Sequence, residues 1–216
     1  MAGAEIDYLH HCQLEFGEYV QMLDNKAHTS LDAFAYLRDA ISFGCDPGEL
    51  SLDWTLERAT PADITEFRGF YDKMSGGLLP EALDLTPKSY SDETLSRVYA
   101  NNKLSRHRIV YALRHHRSLK ALIDIQTSDL GLNLSEITNA MTIYVLDAVA
   151  CHRDVMRFVV CSLTIRYNKL HHPLMFYPRS YLGHYNIPAD KDYTLWALDV
   201  TKAAESYMEW MNRFCR

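Results

Sequence analysis

The run RIVYALRHHRSLKALIDIQ, residues 108–126, decides the fold of this chain because it describes a β-hairpin without interruption. Apolar residues alternate with other residues in Arg108–Arg114, and Leu119–Gln126 is equally suited to a strand. The four residues His115–Ser118 between them predict the turn. The run therefore predicts two neighbouring antiparallel strands.

A third strand and a long helix follow this hairpin. The β-branched run within Asn139–Asp147 predicts a buried central strand. Apolar residues on one side of Val155–Leu170 predict a helix that starts near Cys151. Such a junction favours anions, because the first N–H groups of the helix and its dipole point outward there. Beyond the helix, the pattern predicts strands at Pro173–Tyr177 and Tyr193–Val200 and a closing helix at Lys202–Phe214.

Towards the N-terminus, another strand enters a helix. Residues 52–56 alternate as a strand does, and Thr60 can cap a helix whose first residue is Pro61. A short helix is predicted around Ser91–Asn101. The order of elements predicts an α+β domain over residues 50–216, with a mostly antiparallel central sheet flanked by helices.

The first 48 residues predict a separate helical extension. Apolar residues recur at helical spacing in Ile6–Leu23 and again in Leu31–Phe43, and Gly44–Gly48 ends the pattern. Residues 1–48 are therefore expected to form a helical hairpin. Three interpretations stay open for it: an accessory cap, an element through which the chain forms a homodimer, and a connector from a longer protein.

The composition of the chain excludes some classes of protein. The chain has 216 residues, 48% of them hydrophobic, and a net charge of −6, which argues against a general nucleic-acid binder. No signal peptide or membrane-length apolar run is present. The five cysteines are scattered, with no zinc spacing, and this predicts reduced thiols in the cytoplasm.

Residues from Leu52 to about Tyr177 resemble the GNAT acyltransferase superfamily. The segment LERATPADI, residues 56–64, is similar to the first strand of that family entering its first helix. The hairpin 108–126, the strand Asn139–Asp147 and the helix Val155–Leu170 resemble its central strands and cofactor helix. The resemblance implies acetyl-CoA or another acyl-CoA as cofactor.

In that family, the pantetheine arm of the cofactor pairs with the strand before the main helix, and the pyrophosphate sits at the start of the helix. The resemblance therefore implies cofactor contacts from one set of residues: Tyr144, Val145, Leu146, Cys151, His152 and Arg153. The expected reaction is acyl transfer to a small-molecule or peptide amine, with a thioester carbonyl polarised by strand backbone. The identity of the amine stays open.

The family pattern for the phosphate loop has two positions for small residues, the first always glycine, and Asp147–Asp154 contains no glycine. Without the glycines of that pattern, the backbone approaches a pyrophosphate less easily. This departure motivates an alternative function: a non-catalytic GNAT-like domain for interaction or ligand sensing.

Cys151 has two interpretations, a nucleophile activated by the helix N-terminus and an inert buried thiol.

Tyrosines follow the predicted strand Pro173–Tyr177. The resemblance implies a tyrosine that protonates the departing thiolate, and Tyr177 and Tyr181 are the candidate catalytic residues. The alternative is packing of amphipathic rings. Arg179 and His184 lie in the same stretch, so an unrelated α+β fold with a site around Tyr177–His184 is a third interpretation.

Adjacent histidines and a charged residue within a strand are two further polar features of the sequence. The adjacent histidine pairs, such as His115-His116, do not predict a metal site, because neighbouring side chains point in different directions on a regular element. Asp124 lies within a strand pattern and is either a base at the centre of the sheet or, more economically, a residue on its solvent face.

Overall fold

A computed structural model describes residues 29–36, 47–75, 78–91, 93–129, 140–167, 173–178, 181 and 192–198. For the ranges 29–36 and 192–198, the backbone alone is described.

Seven strands and four α-helices form the described part of the chain. The strands are β1 (Thr29–Tyr36), β2 (Trp54–Arg58), β3 (Arg106–His115), β4 (Ser118–Ser128), β5 (Ala140–Val145), β6 (Leu174–Pro178) and β7 (Asp192–Leu198). The helices are α1 (Pro61–Ser75), α2 (Leu78–Ala82), α3 (Glu93–Asn101) and α4 (Arg153–Arg166), with a 3₁₀ turn at Ala148–Cys151 before α4.

One sheet contains all seven strands, in the order β2-β3-β4-β5-β6-β1-β7. The sheet is mixed: β5 and β6 pair in parallel, and the other neighbours in this order are antiparallel. The predicted α+β class, with a sheet flanked by helices, is confirmed. The hairpin predicted at 108–126 is also confirmed, as β3 and β4.

Helices cover both faces of the sheet, which explains why its central strands are apolar on both sides. On one face, α1 contributes buried side chains that pack against Ala112, Leu122 and Tyr144. On the other face, α4 packs against Leu113, Ile123 and Ile143. A strand buried on both faces loses the polar alternation of an exposed sheet.

Helix α1 begins at Pro61, as the sequence predicts, but the Thr60 hydroxyl donates to Asp63 and does not accept from a helix N–H. The carboxylate of Asp63 accepts hydrogen bonds from the backbone N–H of Thr60 at 2.8 Å and from its hydroxyl at 2.7 Å. The carbonyl of Thr60 accepts in return from the N–H groups of Asp63 and Ile64. Pro61 occupies the first helical position, where a missing N–H costs nothing.

The prediction of a helix at Leu31–Phe43 is wrong for the part that ends at Tyr36, because Thr29–Tyr36 forms strand β1. The spacing of Leu31, Phe34 and Leu37 satisfies a helical period, but β1 lies between β6 and β7 and pairs with both. Pairing with strands more than 130 residues away is invisible to a local pattern. The predicted helices Ile6–Leu23 and Lys202–Phe214 lie outside the described residues.

Within the described part of the chain, none of the helices combines the length and the apolar character that a membrane crossing requires.

Candidate functional site

The carboxyl ends of β5 and β6 form the place where the family resemblance puts a cofactor. Their parallel ladder ends at the pair Tyr144 and Phe176. Beyond this pair, Val145 and Leu146 leave the ladder and lead into the 3₁₀ turn before α4. A ligand that paired with β5 here would need the carbonyl groups of these residues.

Tyrosine hydroxyls already bind those carbonyl groups. The hydroxyl of Tyr71, on α1, donates to the Val145 carbonyl at 2.9 Å and lies 3.5 Å from the Phe176 carbonyl. The hydroxyl of Tyr181 donates to the Leu146 carbonyl at 2.8 Å. Tyr71 is fully buried, so its bond forms part of the protein interior. The two tyrosine hydroxyls therefore engage the carbonyl groups at the end of the β5–β6 ladder.

The N–H groups at the start of the helical segment are also engaged. The carboxylate of Asp147 accepts from the Val149 N–H at 3.0 Å, and its carbonyl accepts from the Ala150 N–H at 2.9 Å. Lys120 donates to the same carboxylate at 2.6 Å. Burial acts to raise the pKa of Asp147, but the bonds from Lys120 and Val149 outweigh it and lower the pKa. A carboxylate therefore caps the 3₁₀ turn that leads into α4.

The predicted cofactor residues divide between interior and surface. The ring of Tyr144 is buried on the α1 face and stacks on Phe176, and burial holds the pKa of its hydroxyl well above the ordinary value. His152 and Arg153 are exposed at the start of α4, and His152 lies 3.6 Å from the carboxylate of Asp154. This arrangement matches an ordinary polar helix terminus.

Cys151 is an inert thiol in this fold. The residue is buried, and burial, with a smaller contribution from the charge of Asp147, raises the pKa of the thiol to about 12. Activation by the helix N-terminus is therefore not realised. Cys161 is disulfide-bonded, so the prediction of reduced thiols is wrong for this residue.

The two candidate catalytic tyrosines lie on the α4 side of the sheet. Tyr177 is fully buried in the cluster beneath α4, and Tyr181 packs against the same cluster while its hydroxyl binds Leu146. Arg179, His184 and Tyr185 lie outside the described residues.

Asp124 is a structural residue, and its placement on the solvent face was wrong. Its carboxylate is 1% exposed and pairs with Arg108, whose Nη2 lies 2.8 Å away. Arg108 also donates to the carbonyls of Asp84 and Leu83, and Gln126 donates to Asp124. Through these bonds the pair ties the segment after α2 to the sheet.

A groove of about 700 Å³ runs along β2 to the β3–β4 turn and was not found from the sequence. Its charged lining consists of Arg58, Arg114, Arg117, His116, Asp53 and Glu57. Arg114 binds the carboxylate of Asp63, whereas Arg58 and Arg117 form no ion pair within the described residues. The basic run Arg114–Arg117 was the sequence signal for this groove.

Both central residues of the β3–β4 turn have positive φ, 48° at His116 and 67° at Arg117. This backbone matches the tight turn whose twist suits a hairpin, although glycine or asparagine usually occupies such positions. The turn brings the rings of His115 and His116 to a centroid distance of 4.2 Å. The expectation that adjacent histidines point apart is therefore wrong for this pair.

A tyrosine pair beside α4 was also missed. The hydroxyls of Tyr111 and Tyr167 lie 2.8 Å apart, and Arg166 donates to Tyr111 at 3.2 Å. Burial acts to raise the pKa of Tyr111, but these two bonds lower it, whereas burial and the same pairing raise the pKa of Tyr167 to about 12. Alternation in β3 marked Tyr111 only as an apolar position.

No protein-family model matches the sequence, and no curated protein matches it.

Proposed function

We propose that this chain is a GNAT-like ligand-binding domain that does not transfer acyl groups. The GNAT-like character is supported by three successive antiparallel strands (β3, β4, β5), a helix after β5, and a β6 that pairs with β5 in parallel. The absence of acyl transfer is supported by the end of that parallel ladder.

The observation that carries the proposal is the pair of tyrosine bonds to the β5 carbonyls. A pantetheine arm would have to displace the hydroxyl of Tyr71 from Val145 and that of Tyr181 from Leu146. Displacement of the buried Tyr71 hydroxyl without a new partner costs about 1–3 kcal/mol, and displacement of the partly buried Tyr181 hydroxyl costs less. The carboxylate of Asp147 would further repel the pyrophosphate.

The ligand is an anion that binds in the groove beside β2. Arg117 lines it and forms no ion pair within the described residues, so its charge is available to a ligand. Arg58 also lines it, although its charge acts on the Tyr111 and Tyr167 hydroxyls of the α4 side as well. Guanidinium groups bind phosphate and carboxylate through paired N–H donors. The hydroxyl of Thr60 also borders the groove.

Calorimetry with inorganic pyrophosphate on metal-free protein tests this function. The wild-type chain should bind pyrophosphate, and Arg117→Gln should weaken the affinity about three- to tenfold, the loss of one exposed charge-assisted contact. Arg97→Gln, which removes an exposed arginine of α3 outside the groove, should leave the affinity unchanged. No binding at millimolar pyrophosphate, or an equal loss in both variants, would contradict the proposal.

An acyltransferase acting on a small-molecule or peptide amine is the second candidate, and the parallel β5–β6 pair connected through α4 favours it. In that case Tyr181, which reaches the end of β5, would protonate the thiolate. Thiol release from acetyl-CoA with a panel of amines tests this candidate. Release that is lost in Tyr181→Phe would support it, and no release from any amine would count against it.

A further inference from the structure

We propose that Asp53, His115 and His116 form a binding site for a divalent transition-metal ion, of which Zn²⁺ is the probe. One ligand atom from each residue lies within 4.8 Å of the other two. The site is formed where the start of β2 meets the β3–β4 turn. All three ligands belong to the protein, so the site requires no anion in the groove.

The distances suit a metal ion. The Nδ1 atom of His116 lies 3.5 Å from a carboxylate oxygen of Asp53. Two ligand atoms that each lie ~2.1 Å from one tetrahedral ion are ~3.4 Å apart, so this pair is already spaced to share an ion. A ring nitrogen of His115 lies within 4.8 Å of both of these atoms.

The backbone holds the ligands together independently of any ion. The N–H of His116 donates to the carbonyl of Asp53 at 3.0 Å, and β2 pairs with β3 up to Trp54 and His115. The positive φ of His116 ends the strand alternation, which would otherwise send the two imidazoles to opposite faces. Histidine is among the residues that tolerate this conformation.

The donor set selects the class of ion. Two imidazoles and one carboxylate suit Zn²⁺, Ni²⁺ and Cu²⁺, whereas Mg²⁺ and Ca²⁺ prefer sites made of oxygen ligands alone. Three protein ligands leave at least one coordination position for water or another ligand. Asp53 and His116 also line the groove, so a bound ion would border it.

Calorimetric titration with ZnCl₂, in a buffer without phosphate and with excess Mg²⁺, tests the site. Wild type should bind one equivalent that His116→Asn and Asp53→Asn each weaken at least ~10-fold, since loss of even an outer-shell partner costs 10–100-fold. Asparagine tolerates the positive φ of position 116, so the turn is retained. The matched control is His107→Asn, an exposed histidine of β3 outside the cluster.

A second readout reports on the location of the ion. The ring of Trp54 stacks on His115 with centroids 4.5 Å apart, so Cu²⁺ at this site should quench the emission of Trp54. Quenching that is present in wild type and in His107→Asn, and lost in His116→Asn, would support the site. Unchanged zinc affinity in His116→Asn and Asp53→Asn, or quenching that persists in His116→Asn, would overturn it.

Discussion

Asp63 shows how a single side chain links a helix start to the groove. Its carboxylate accepts hydrogen bonds from the N–H and the hydroxyl of Thr60 and forms an ion pair with the Arg114 guanidinium. Burial alone would raise the pKa of Asp63, but these bonds lower it below its ordinary value. The charged form is therefore the form that stabilises the fold.

Asp63→Asn should lower the free energy of unfolding at pH 7 by about 1–3 kcal/mol, because it removes the charge that these donors stabilise. The stabilisation is present above the unfolded pKa and is lost as pH falls through the lower folded pKa. The difference from wild type should therefore shrink below about pH 4. Urea unfolding across pH checks this, with the exposed Asp72→Asn on the same helix as control. An unchanged difference at low pH would contradict it.

Cys151 should resist alkylation in the folded protein. Its pKa of about 12 leaves almost no thiolate at pH 8, and the side chain is buried. Treatment with iodoacetamide, followed by mass spectrometry of the Cys151 peptide, should show modification in urea and little without it. Rapid modification of the native chain would mean that the thiol is activated.

Two side chains show what residue patterns could and could not predict. The burial of Asp124 was missed because its partner Arg108 lies on the next strand, 16 residues away. The approach of His115 to His116 was missed because the sequence has no glycine to mark positive φ in the turn. The side-chain partners of strands and turns depend on contacts that a local pattern does not contain.

At the scale of elements, contiguous features were predicted well. The β3–β4 hairpin, the start of α1 at Pro61, β5, α4 and β6 all follow from local period and from the residues at element ends. Strand β1 was taken for a helix because its two neighbours come from the far end of the chain. The groove was missed because it forms only when β2 pairs with β3.

Arg108→Met should destabilise the protein by about 3–5 kcal/mol, because it leaves the carboxylate of Asp124 buried without its guanidinium partner. The double variant Arg108→Met, Asp124→Leu should recover much of this loss, since both charges are then absent. Chemical denaturation measures both, with the exposed Arg97→Met as control. A single variant as stable as wild type would show that the pair is not buried in solution.

At the scale of the whole molecule, the two candidate binding regions lie at one end of the sheet. The turn of β3 and β4 and the carboxyl end of β5 lie at the same end of the sheet, joined by Lys120 and Asp147. The groove and the cluster of Asp53, His115 and His116 both border that turn. The carbonyl groups that the tyrosine hydroxyls engage lie at the end of β5. Ligand binding is therefore expected beside β2 and not between β5 and β6.

The most direct test of this account is a calorimetric comparison of acetyl-CoA with its two parts, S-acetylpantetheine and 3′-phospho-ADP, on the wild-type chain. With the Val145 and Leu146 carbonyls bound by Tyr71 and Tyr181, S-acetylpantetheine should give no binding heat. Acetyl-CoA should then bind no more tightly than its phosphate portion. Measurable binding of S-acetylpantetheine, or acetyl-CoA at least ~10-fold tighter than 3′-phospho-ADP, a gain of about 1.4 kcal/mol, would contradict the account.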